Sequence, residues 1–186
     1  MRVVRVLFAF SFAVALAGCQ AAPEPAKQAA PPSGPVAQPY GTLMQVMRTI
    51  PFPNSNIIFD TQTNDPGTTT TKGADPGKGA STTAVYAGVY TGWPAVEAAA
   101  VALSETANLI MLPGRLCDNG KPVPIDQEAF RKAAQGLADA GKAALKAAQS
   151  KNLDAMVEVS GTIADACAAC HTIYRDQPAP KERCIP

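Results

Sequence analysis

The chain has 186 residues, of which 17% are charged and 47% hydrophobic, and its formal net charge is +1. A charge so close to zero, with no run of basic residues, excludes the electrostatic surface that nucleic acid binding requires. The charged fraction is below the roughly 25% typical of globular domains, and alanine fills the difference. Without its first 18 residues the chain is still long enough for one domain with a proper core.

Residues 1–18 have the pattern of an export signal. Arg2 and Arg5 precede an apolar run that is too short to span a bilayer comfortably and that ends in small residues. The ending Leu16-Ala17-Gly18-Cys19 resembles a bacterial lipobox, which would make Cys19 the lipid-carrying first residue of the mature chain. The alternative is a soluble periplasmic protein that is cleaved nearby.

Residues 19–39 predict a tether rather than a part of the core. Six prolines separated by small residues favour extended polyproline II, at about 3.1 Å per residue, so twenty residues could reach on the order of 60 Å. This composition supports a membrane anchor. Gln20 stands where an aspartate retains lipoproteins at the inner membrane in well-studied bacteria, which favours the outer membrane.

The predicted folded domain, residues 40–186, begins with a short helix and a loop. Leu43, Met44, Met47 and Ile50 recur at helical spacing until prolines at 51 and 53 end the helix. Residues 54–60 are predicted to form a turn and a short packed piece. Residues 61–83 are polar, rich in threonine and glycine and without periodicity, which predicts a flexible loop.

Three longer helices are predicted to follow. The first begins near Trp93-Pro94 and ends at Pro113-Gly114, the second begins around Asp126, and the last begins near Asn152. Only residues 84–90 have an alternating apolar pattern that would favour a β-strand over a helix. Four amphipathic helices with short connections predict an all-α, antiparallel up-down four-helix bundle.

The last helix carries Cys167-Ala168-Ala169-Cys170-His171, in a chain with no other histidine. Two thiols on nearly one helical turn with an adjacent imidazole are typical of covalent haem attachment: the thiols bond the porphyrin and His171 reaches the iron. A zinc site would need further ligands, and the remaining cysteines are single. A thioredoxin-type site needs a strand before the motif, and none is predicted.

The up-down topology would bring three further features to the same end of the bundle as His171. Cys117, in the connection before the third helix, and Cys184, in the tail, would come close enough for a disulfide in an oxidising compartment; two unpaired thiols are the alternative. Met44 and Met47 would lie at the height of the iron, so one of them, or an open position, is expected as the sixth ligand. Met156 is too far along the helix and is expected in the core, and Met111 is expected on a diagonal helix.

The motif CAACH and the stretch LMQVMRTIPFPNSN resemble the class II c-type cytochromes, cytochrome c-prime and its low-spin relatives, over about residues 40–176. The resemblance implies one haem held by Cys167 and Cys170, with His171 as proximal ligand. In low-spin members a helix-one methionine is the distal ligand, which matches Met47 best and Met44 next, whereas high-spin members leave the position open. Departures from the family are the two prolines, the lipid anchor, the long loop and the extra cysteine pair.

The expected function is that of a monohaem cytochrome that carries single electrons between redox proteins of the bacterial periplasm, anchored to a membrane through Cys19. No catalytic acid–base set is evident, so an enzyme is not predicted. One alternative is a gas-binding haem protein with an open sixth position, and another is a structural lipoprotein without haem. Homodimers, which are frequent in the family, are left open by the sequence.

Overall fold

The computed structural model describes residues 37–68, 72–177 and 179–184, which are mostly helical and contain no β-strand. Its α-helices are α1 (Leu43–Thr49), α2 (Pro51–Phe59), α3 (Thr82–Val85), α4 (Gly92–Ile110), α5 (Glu128–Gln149) and α6 (Leu153–Tyr174). The fold class is therefore all-α. The export signal, Cys19 and residues 20–36 of the predicted tether lie outside the described residues.

The predicted first helix is α1, and a second short helix, α2, follows it directly after Ile50. α1 begins with a capping box, in which the Thr42 hydroxyl accepts from the Gln45 N–H at 3.3 Å and the Gln45 side chain accepts from the Thr42 N–H at 2.8 Å. α1 ends before Pro51, as predicted. The prediction of a turn over residues 54–60 was wrong, because Pro51 occupies the first turn of α2, where its missing N–H is not needed.

The polar segment before α4 contains several short helical turns. Three-residue 3₁₀ helices occupy Asp60–Gln62 and Pro76–Lys78, and residues 84–90, the one stretch with a competing strand pattern, fall in α3 and a further 3₁₀ turn. The Gln62 side chain donates to the Ser160 hydroxyl at 2.9 Å, so the beginning of the segment is tied to α6. Flexibility between residues 61 and 83 stays a prediction.

The three long helices lie close to their predicted boundaries, and α5 packs against both α4 and α6. α5 approaches α4 closely at Gly141, where a Cβ atom would lie 2.6 Å from the Ser104 hydroxyl and 2.7 Å from the Ser104 backbone nitrogen. Only glycine fits at this position. α2 packs against α4 and α6 on the other side.

Two groups of buried side chains hold these helices together. The main cluster lies between α2, α4, α5 and α6, and Met156 is fully buried in it, as predicted for a core residue. The second group, called here the terminal cluster, lies where α4 and α6 end and α5 begins. Its buried members are Ile110, Cys117, Val123, Phe130, Ala134 and Tyr174, with Leu43, Val46, Met47, Met111, Ile125, Cys170, Ile173 and Cys184 packed against them.

The α-helices of the described residues range from 4 to 22 residues in length. None of them combines the length and the apolar composition that crossing a membrane requires.

Candidate cofactor site

The Cys167–His171 motif lies in the last two turns of α6, and all three functional side chains are half-buried. α6 begins at the Asn152 cap, whose side chain accepts from the Ala155 N–H at 3.0 Å, and continues for three residues beyond His171. Cys167 and Cys170 are free thiols. Because they are three positions apart on a helix, they lie on adjacent turns of nearly the same face.

The end of α6 is anchored by Tyr174, one turn after Cys170. Its ring meets that of Phe130 edge to face, with 5.3 Å between centroids, and its hydroxyl is 2.9 Å from the Gln127 side-chain oxygen, to which it donates. The start of α5 therefore fixes the helix turn that carries the motif.

Cys167 and His171 line an open groove between α2 and α6 with a volume of about 360 Å³. Phe52 and Phe59 form part of the opposite wall, and Phe52 leaves 65% of its surface exposed. Phe52 therefore lies exposed beside two half-buried donor groups. The groove thus places two aromatic and two polar side chains of α2 opposite a histidine and a thiol.

Cys170 faces a different environment from Cys167. Cys167 packs against the main cluster, whereas Cys170 packs against the terminal cluster together with Met47 and Met111. The two thiols therefore stand at the boundary between the two clusters.

The protonation of these side chains is set mainly by burial. Burial lowers the pKa of His171, and the charge of Arg175 lowers it further, against an opposing effect of Asp176. Burial, together with the neighbouring Cys167, raises the pKa of Cys170 to about 11, and burial also raises the pKa of Cys167. The site thus favours a neutral imidazole, the form that binds metals, beside protonated thiols.

The structure joins Cys117 and Cys184 in a disulfide, as predicted. The tail is held at the same place by polar contacts. The Cys184 N–H donates to the Tyr174 carbonyl at 2.9 Å, and the Asn119 side chain donates to the Arg183 carbonyl at 2.9 Å. This disulfide therefore lies one helix turn beyond Cys170, in the same cluster.

The four methionines of the described residues lie in three environments, one of which is the buried position of Met156 in the main cluster. Met47 packs against the terminal cluster with Cys170, whereas Met44, on the same short helix, is half-buried and is not a member of that cluster. Met111 was expected on a diagonal helix. It follows the end of α4 and nevertheless packs against the terminal cluster. Two sulfur donors, rather than one, thus accompany Cys170.

Arg115 is a buried residue that sequence reasoning missed. It is 4% exposed, and its guanidinium donates to the Leu109 carbonyl at 2.9 and 3.1 Å and to the Gly41 carbonyl at 2.6 Å. Burial lowers its pKa. Arg115 thus joins the end of α4 to the residues just before α1. The one signal in the sequence for a structural role is its position in the short connection between Pro113-Gly114 and Cys117.

The residues present fit a covalently attached haem in their donor chemistry. Among the described residues no group of three or more histidine, cysteine and acidic side chains is placed to hold a metal ion by itself. A haem iron receives most of its ligands from the porphyrin, so the chain has to supply thiols for attachment and one or two axial donors. The free thiols, the neutral imidazole and the nearby methionines meet that requirement.

Comparisons with known proteins neither extend nor contradict this site. No protein-family model, no curated protein and no solved structure matches the chain.

Proposed function

We propose that the chain is a monohaem c-type cytochrome that carries single electrons. The observation that carries the proposal is the arrangement at the end of α6. The free thiols of Cys167 and Cys170 stand beside His171, whose imidazole is kept neutral by burial, and the groove wall that contains Phe52 and Phe59 faces Cys167 and His171. The bound haem would supply the one-electron chemistry of its iron.

The proposed architecture is an antiparallel up-down four-helix bundle in which α1 and α2 together count as the first helix. The packing of neighbours supports it, because α2 contacts α4, α4 contacts α5, α5 contacts α6 and α6 contacts α2. The three-residue link between α5 and α6 also favours antiparallel neighbours. Sites in such bundles are built from side chains on facing helices.

Each side chain has a separate role in the proposal. Cys167 and Cys170 hold the haem through thioether bonds, and His171 is the proximal iron ligand. Met47, which packs against the same cluster as Cys170, is the distal ligand, with Met44 as the second choice. An iron with both axial positions filled by histidine and methionine has a raised potential and suits electron transfer.

Covalent attachment is the direct test of this function. We would express the full chain in a bacterium that attaches haem to exported cytochromes and stain a denaturing gel for haem. We expect a haem-stained band that disappears in the double variant Cys167→Ser/Cys170→Ser. A matched control is Cys117→Ser/Cys184→Ser, which also removes two cysteines and should keep the stain. An unstained wild-type chain, beside a stained reference cytochrome, would refute the proposal.

The optical absorption spectrum of the haem-loaded chain distinguishes an electron carrier from a gas-binding protein. A low-spin spectrum that carbon monoxide does not change supports an electron carrier. A high-spin spectrum that shifts with nitric oxide or carbon monoxide supports the alternative, a gas-binding protein with an open sixth position.

The proposal also places the protein in the bacterial periplasm, anchored to a membrane through a lipid on Cys19, with the outer membrane favoured. The partners would be redox proteins of that compartment. Fractionation of cells that express wild type and Cys19→Ser tests the anchor: the variant should move from the membrane fraction to the soluble fraction. Wild type in the soluble fraction would overturn the anchor and leave the haem unaffected.

A further inference from the structure

The terminal cluster contains two methionines that belong to different parts of the chain. Met47 lies on α1 and Met111 follows the end of α4, and both pack against the cluster that includes Cys170. Both side chains are half-buried, so neither is locked inside the core as Met156 is. A methionine has three rotatable bonds and a polarizable sulfur, which lets it adapt to a neighbouring group.

Hydrogen bonds join the segment that carries Met47 to the segment that carries Met111. The Leu43 N–H donates to the Leu116 carbonyl at 2.8 Å, and Arg115 bridges the carbonyls of Gly41 and Leu109. Met47 is one helix turn, about 6 Å, from Leu43. Met111 is two residues from Leu109. The hydrogen bonds therefore hold the two thioethers at the same end of the molecule.

The remaining side chains of the terminal cluster offer no better axial donor. They are aliphatic or aromatic, apart from the Tyr174 hydroxyl, which is engaged with Gln127, the two cysteines of the disulfide, and Cys170, which is assigned to haem attachment. The single histidine of the chain is assigned to the proximal position. Thioether sulfur is thus the donor type that this cluster offers for the distal position, and it is present twice, in Met47 and in Met111.

We propose that Met111 is a second axial donor, able to bind the iron when Met47 is removed, so that the low-spin state depends on the pair rather than on one methionine. This inference rests on the proposed function. It implies that the distal face is formed by α1 and the end of α4 together.

Four variants of the haem-loaded full chain test the inference. They are Met47→Leu, Met111→Leu, the double variant, and Met156→Leu as a control that removes a buried sulfur from the main cluster. Leucine conserves volume, so each chain should fold, and its helical circular dichroism would verify this. The readouts are the spin state and the methionine–iron charge-transfer band of the oxidised protein, neither of which requires an activity.

The expected result is a band that survives in each single variant, shifted in Met47→Leu, and that is lost with conversion to high spin in the double variant. Met156→Leu should match wild type. Loss of the band in either single variant would overturn the inference, as would a double variant that keeps it or a wild type that lacks it. In all these cases the haem is still attached, whereas a chain without haem overturns the proposed function as well.

Discussion

The guanidinium of Arg115 donates a 2.6 Å hydrogen bond to the carbonyl of Gly41, 74 positions earlier in the chain. The same side chain binds the Leu109 carbonyl, and it is 4% exposed. It has no carboxylate among its described partners, so its charge is compensated by backbone dipoles. Arg115 therefore connects the start of the folded region to the end of α4.

We expect Arg115→Met to lower the free energy of unfolding by about 2–4 kcal/mol, because two carbonyls lose a charged donor. Urea unfolding followed by helical circular dichroism would measure it. Arg131→Met is the matched control, since Arg131 also donates to backbone carbonyls, those of Ile125 and Asp126, but from an exposed position. Its expected effect is below about 1 kcal/mol, and equal effects of the two variants would contradict the role of burial.

Gly141 allows a second prediction about the contact between α4 and α5. We expect Gly141→Ala to destabilise the fold by about 1–2 kcal/mol, because the new methyl group would collide with the backbone of Ser104. Gly136→Ala, on an exposed turn of the same helix with nothing within 4 Å of the new Cβ, should instead stabilise by up to about 1 kcal/mol. Thermal unfolding of both variants measures this, and a stabilising Gly141→Ala would show that the helices can separate at little cost.

The disulfide between Cys117 and Cys184 predicts a large difference in the free energy of unfolding between the chain with the bond and the chain without it. Cys117 and Cys184 are 67 positions apart. In the chain-entropy model such a loop stabilises the fold by about 4 kcal/mol, and Cys117→Ala/Cys184→Ala should lose that amount. The variant and the reduced wild type should unfold at similar urea concentrations. A variant as stable as the oxidised wild type would mean that the unfolded chain is compact enough to need no such constraint.

A fourth prediction concerns Cys170 in the chain before haem attachment. Its pKa is raised from 9.0 to about 11, first by burial and then by Cys167, so at pH 8 it holds about 100-fold less thiolate than an ordinary thiol. Iodoacetamide should therefore label Cys170 about 100-fold more slowly in the folded than in the urea-unfolded chain, as measured by peptide mass spectrometry. Cys167→Ser should lower the pKa of Cys170 in a pH titration of the labelling rate, because the thiolate that Cys167 forms at high pH is removed.

The raised pKa of Cys170 also fixes the sign of a pH effect. Since the folded state keeps its proton longer, the stability that this thiol contributes is present below about 9 and is lost as the pH rises toward about 11. Cys170→Ser should flatten the loss of stability over that interval. An unchanged pH profile in the variant would assign the loss to other groups.

The long helices were predictable because their boundaries are encoded locally. Trp93-Pro94 and Asn152 mark beginnings, and Pro113-Gly114 marks an end, through proline geometry and side-chain capping that need no distant partner. α2 was missed for a related reason. Pro51 ends one helix and begins the next, and the local pattern fits both roles equally well.

Contacts between residues far apart in the chain explain which features of the site could not be predicted from the sequence. The disulfide was predicted because the predicted up-down topology would bring Cys117 and Cys184 to one end, and the structure joins them. The place of Met111 depends on how the chain turns after α4, and that of Arg115 depends on where Gly41 comes to lie. The groove wall of Phe52 and Phe59 required α2, which had not been predicted.

The link between Cys117 and Cys184 also has a consequence for the order of events during biosynthesis. A ribosome releases the chain from its N-terminus, so Cys117 emerges well before Cys184, and the thiols of Cys167 and Cys170 emerge between them. Until Cys184 has been synthesised, every sulfur that Cys117 can meet downstream is a wrong partner. Correct pairing therefore waits until Cys184 is present, and a truncation that removes Cys184 would leave Cys117 without its partner.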